Sequence, residues 1–197
     1  MTNIAVSSPQ PSFSPLRLNS RSVTWQLAAV ALGTLFLALS SYIEVPMVPV
    51  PVNMQTFGVT LIGALYGWRL GAVTIAVWLA EGALGFPVLS GGVGGAQYFL
   101  GATGGYLFAF PICGALVGWL AERGWNGGRV VLAFAAMLLG NLLCLVLGTI
   151  WLAVMIGVEQ AVTFGFLPFV LGGLLKSALG AATLMALPGG KAKPAHS

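Results

Sequence analysis

Eight basic and four acidic residues serve a chain of 197, so each charge is conspicuous. Lys176 stands out most, because it lies near the middle of the apolar stretch 166–187, about ten residues from either end. Placing an ammonium at the centre of a membrane helix costs about 2.5 to 3.5 kcal/mol on insertion scales, so its presence calls for an anionic partner. Two readings compete. Lys176 receives an anionic ligand, or it closes an internal ion pair with Glu81 or Glu159, each near the end of its own apolar stretch. Snorkelling to a surface is the weaker alternative, since the stem is too short for that depth.

The next candidates are amides. Asn53-Met54-Gln55-Thr56 opens an apolar run directly after a proline cluster. Asn53 reads as a helix cap or a ligand contact. Gln55 falls in the first helical turn, where a primary amide offers donor and acceptor either to a ligand with an amide-like edge or to a neighbouring helix. Asn141 reads as an interhelical hydrogen-bonding residue. Cys113 and Cys144 stand in apolar runs without metal-ligand spacing and read as packed free thiols. The sequence holds no Asp, and its single histidine is His196, so no nucleophile–base–acid constellation, metal site or cofactor site is expected. A proton relay has only Glu81 to work with.

The elements that position these groups follow from composition. Charged residues make up 6% of the chain and hydrophobic ones 58%, against about 25% charged in a soluble domain, which excludes a water-soluble globule. A formal charge of +4 on this background also excludes nucleic-acid binding. The length allows about six crossings of a bilayer, each of about 20 residues. The expected fold is all-α and polytopic, with spans near 23–43, 53–66, 70–84, 106–121, 130–157 and 166–187. The second and third are short for full spans. Residues 1–22 and 188–197 read as tails around one membrane domain, 23–187.

Two connections are unusual. Pro46, Pro49 and Pro51 forbid helix and require extended backbone, which survives near membrane depth only beside protein or a cavity. Residues 85–105, rich in glycine pairs such as Gly91-Gly92, form a long loop between the third and fourth spans. With Tyr98, Phe99 and Tyr106 it reads as a lid laying aromatic faces over a flat ligand, or as a packed plug. It lacks the ending of a nucleotide-binding loop. With both termini cytoplasmic, Arg17, Arg21, Arg69, Arg123, Arg129, Lys191 and Lys193 all fall inside, and the proline segment and glycine loop face outward. Ala29 and Gly33, four residues apart on the first span, form a small-residue face for close crossing within the bundle or with a partner. Self-association is compatible with that face.

Three stretches in order carry a resemblance: 49–57 (PVPVNMQTF), 85–95 (GFPVLSGGVGG) and 101–107 (GATGGYL). They resemble the BioY family, the biotin-binding substrate components of energy-coupling factor (ECF) transporters, over about 23–187. The resemblance implies a multi-pass protein of a prokaryotic plasma membrane that binds biotin near the outer face. It also implies partnership with a transmembrane coupling protein and paired ATP-binding subunits, offered a surface on the first span. Residues 171–176 (LGGLLK) are similar to the family's Gly-Asp-Leu-hydrophobic-Lys pattern, which carries Lys176 over as a ligand residue. Gly173 stands where the family usually has Asp, so the ureido contact falls to Gln55, Asn53 or a lid carbonyl. The site expected is Lys176, Gln55, Asn53, Gly91, Gly92, Tyr98 and Tyr106. The rival readings are a carrier for another small anionic vitamin and a structural membrane subunit without a ligand.

Overall fold

The computed structural model describes Leu18 and residues 21–187. The expected tails lie outside the described residues apart from Leu18, Arg21 and Ser22, and so do Arg17, Lys191 and Lys193. Helix α1 (Val23–Tyr42) leads into a two-stranded antiparallel ribbon, β1 (Glu44–Val45) and β2 (Val52–Asn53). Helix α2 (Gln55–Ala83) follows, then the glycine loop with its short α3 (Gln97–Leu100). Three further elements complete the bundle: α4 (Gly104–Glu122), α5 (Val130–Ile156) and, after the short α6 (Val158–Ala161) and a π-helical turn, α7 (Leu167–Ala186). Among the described residues, five stretches are long and apolar enough to cross a membrane.

The second of these stretches is a hairpin. Gly67 breaks it with φ 80° and ψ 173°, a backbone region that side chains with a Cβ rarely enter. The two arms fold back on each other, since a Cβ built on Gly71 would lie 3.1 Å from the Cα of Gly63, whereas eight residues of continuous helix span about 12 Å. Arms 55–66 and 68–83 are therefore the short second and third spans, about 18 and 24 Å long at 1.5 Å per residue, and six segments traverse the molecule.

Side chains fix which ends meet. The Tyr66 hydroxyl donates to the Ala29 carbonyl at 2.8 Å, and the Trp68 amide donates to Glu122 Oε1 at 3.2 Å. The hairpin tip with Arg69 thus shares one end of the bundle with the start of α1 and the α4–α5 turn with Arg123. At the opposite end the Gly95 amide donates to the Gly82 carbonyl, and Asn53 reaches Ser90. Close backbone approach holds the centre together: a Cβ on Gly63 would run into the Gly114 carbonyl. Buried Leu37, Ile75, Trp78, Phe110 and Leu152 form the main core, and Leu61, Val117, Met137 and Leu184 a second one.

Ala29 and Gly33 are both buried inside this bundle. A Cβ on Gly33 would meet the Tyr66 ring at 3.1 Å, so the small-residue face receives the hairpin of the same chain. That corrects the expectation of a partner surface at these two residues: the bulky Tyr66 needs the depression they leave.

Candidate binding site

The proline segment and the glycine loop close one end of a cavity of about 650 Å³. Strand pairing aligns Glu44 with Asn53 and Val45 with Val52, and the intervening residues bring Pro49, Val50 and Pro51 onto the cavity wall. Pro46, Pro49 and Pro51 themselves lie between the two strands, in non-helical backbone that runs beside the cavity at Pro49 and Pro51.

Lys176 comes to this cavity from α7 and is 9% exposed. Its ammonium donates to the Asn53 carbonyl at 2.6 Å and to Thr56 Oγ1 at 3.0 Å. Both acceptors are neutral. Neither Glu81 nor Glu159 pairs with it, which removes the internal ion pair as the reason for its burial. Glu44 instead accepts from the Ser90 hydroxyl, and Glu122 accepts from Trp68 at the far end.

A polar corner surrounds the ammonium. Asn53 Oδ1 accepts the Gln55 amide at 3.1 Å, an arrangement that starts α2, while its Nδ2 donates to Gln55 Oε1 at 2.9 Å and to Ser90 Oγ at 2.8 Å. Gln55 Nε2 donates to Ser41 Oγ at 3.1 Å. Asn53 and Gln55 both line the cavity, yet their amides are engaged in tying α1, α2 and the glycine loop together. Thr56 and Ser90 belong to this corner too. The sequence showed Thr56 beside Gln55, but nothing in it announced that α7 would seat a lysine there.

Aromatic rings form another part of the wall. Tyr106 stacks on Phe169 with centroids 6.3 Å apart, and its hydroxyl donates to the Gly165 carbonyl at 2.8 Å. Tyr98, Phe110 and Phe166 also line the space. Gly91 and Gly92 do not. They turn toward Glu44 and Tyr42, because a Cβ on each would meet those side chains at 3.0 and 2.8 Å. The lining part of the loop is Leu89, Ser90, Val93, Gln97, Tyr98 and residues 101–103. This loop is anchored as a wall: Trp78 Nε1 donates to the Val88 carbonyl, Trp151 Nε1 to the Gly101 carbonyl, and the Tyr42 hydroxyl to the Pro87 carbonyl.

An uncompensated buried cation, a flat aromatic wall and a polar corner suit a small organic anion with a planar part. Comparison with known proteins sharpens this. The BioY family model matches residues 11–191. The chain belongs to the BioY family. A probable biotin transporter BioY of Pyrococcus horikoshii is 38% identical over 152 residues, 76% of this chain and 89% of that protein. Biotin transporter BioY2 of Lactococcus lactis is 35% identical over 157 residues, 79% of this chain and 85% of the relative. Among solved structures, the S-component for biotin from an ECF-type ABC transporter superposes with a TM-score of 0.72 at 26% identity, covering 84% of this chain and 93% of that one. As a BioY family member the chain is a multi-pass membrane protein, and its relatives are named as transporters.

Proposed function

We propose that this protein binds biotin from outside the cell and serves as the substrate-specific component of an ECF-type transporter. The observation that carries the reading is Lys176: a buried ammonium on the wall of a large cavity, held among the described residues by neutral oxygens alone. A ligand carboxylate supplies the missing counter-charge through a charge-assisted hydrogen bond. The bicyclic ring of biotin lies against the Tyr106–Phe169 wall. The names of the relatives and the biotin S-component superposition support the same ligand.

The cavity end faces outward and the termini are cytoplasmic, supported by Arg21, Arg69, Arg123 and Arg129 gathering at the other end, as cytoplasmic loops gather basic residues. No nucleotide-binding loop is present in the sequence, so uphill uptake draws on coupling and ATP-binding subunits. For contact with the coupling protein, α1 leaves an exposed ridge of Leu27, Leu32, Leu35 and Leu39.

The test is equilibrium binding of biotin and of its uncharged primary amide to the purified protein in detergent. Loss of a charge-assisted hydrogen bond predicts roughly tenfold or greater weakening for the amide. Equal affinities would remove Lys176 from carboxylate recognition.

A further inference from the structure

Recognition of a cyclic urea needs acceptors for its N–H groups as well as a partner for its oxygen. Asn53 and Gln55, the amides expected from the sequence, are committed to each other, to Ser41 and to Ser90. Asn141, on α5, is placed differently. Its Nδ2 donates to the Met137 carbonyl and to Ser177 Oγ, each at 3.0 Å. The Ser177 hydroxyl hydrogen goes to the Gly173 carbonyl at 2.7 Å, so the Ser177 oxygen can only accept from Asn141. These contacts fix which end of the amide is nitrogen, because the reversed amide would set two carbonyl oxygens against each other.

Among the described residues no donor reaches Asn141 Oδ1. Yet among the described residues no side-chain oxygen is both partnerless and sealed off. Asn141 is buried and lines the cavity, so Oδ1 opens onto that space. Gly173, also on the wall, keeps it open: a Cβ there would come 3.8 Å from the Asn141 Cβ, and anything longer would stand over the amide.

We propose that Asn141 Oδ1, uncovered by Gly173 and pinned through Ser177, accepts a hydrogen bond from a ureido N–H of the bound ligand. The assignment rests on the biotin reading and adds to it the residue that selects the urea. It makes Asn141 a specificity-determining residue and gives Gly173 a purpose: access.

The experiment measures binding of biotin and its two mono-N-methylated ureido analogues to wild-type protein, Asn141→Ala and Gly173→Leu in detergent, alongside thermal unfolding. In wild type, methylating the nitrogen that faces Asn141 weakens binding roughly tenfold or more, the scale of one lost hydrogen bond to a buried acceptor. Asn141→Ala weakens biotin by a similar factor and abolishes the penalty for that analogue. Gly173→Leu leaves the Asn141–Ser177 link intact, so it keeps the fold and loses biotin affinity. Wild-type binding of biotin with an undiminished methylation penalty in Asn141→Ala overturns this inference alone, as does unchanged affinity in Gly173→Leu. Failure of wild type to bind biotin overturns the underlying function as well.

Discussion

The Lys176 ammonium lies 2.6 Å from the main-chain oxygen of Asn53, a residue 123 positions earlier in the chain. That contact joins the last helix to the ribbon that follows the first one, and it aims a charge at the cavity without neutralising it. Buried cations held by neutral acceptors are costly, so removal of the charge separates binding from folding cleanly.

Lys176→Met is therefore expected to lose biotin affinity by roughly tenfold to a hundredfold, the range for a hydrogen bond to a charged group. Its unfolding temperature should stay level or rise, because the desolvated ammonium is gone. Isothermal titration and a thermal melt on one preparation decide it. A destabilised variant with intact affinity would speak for a purely structural lysine.

Cys144 lines the cavity, whereas Cys113 is buried against the core outside the lining. In Cys113→Ser protein, Cys144, only 2% exposed, is expected to react slowly with a small methanethiosulfonate reagent, and saturating biotin to slow the reaction severalfold or more further. Labelling at the same rate with and without biotin would mean that the ligand sits elsewhere.

Tyr66→Phe deletes the bond to the Ala29 carbonyl, at the end of the bundle away from the cavity. The Ala29 carbonyl keeps its helical partner within α1, so the loss of this second hydrogen bond costs about 0.5 to 1.5 kcal/mol and the thermal midpoint falls. Biotin affinity stays within about twofold, because no cavity residue moves. A large affinity loss would show that the hairpin tip communicates with the site.

Gly67→Ala forces a Cβ into a positive-φ position at the hairpin turn. The expected destabilisation is about 1 kcal/mol or more, and Gly63→Leu, which drives a side chain into the Gly114 carbonyl, costs more. Detergent melts give the order. A stable Gly63→Leu protein would contradict the close packing of α2 on α4.

Composition and hydropathy were enough to put this chain in a bilayer and to mark its apolar spans, because those properties depend on local sums over about 20 residues. The Pro46–Pro51 run likewise announced non-helical backbone beside a cavity, since proline removes helix as an option whatever surrounds it. Lys176 declared itself by the cost of its own burial. Other decisions depended on distance in space. The break between 66 and 70 was legible, but only the structure shows its two arms packed so closely that Gly63 and Gly71 meet. Ala29 and Gly33 form the same small-residue stripe whether a partner or their own chain fills it, and Tyr66 filled it. Glu81 and Glu159 were reasonable counter-ions by sequence position, but only folding shows that Asn53 and Thr56 receive the ammonium. Hydropathy says what must leave water; which buried group finds which partner is settled by packing between segments far apart in the chain.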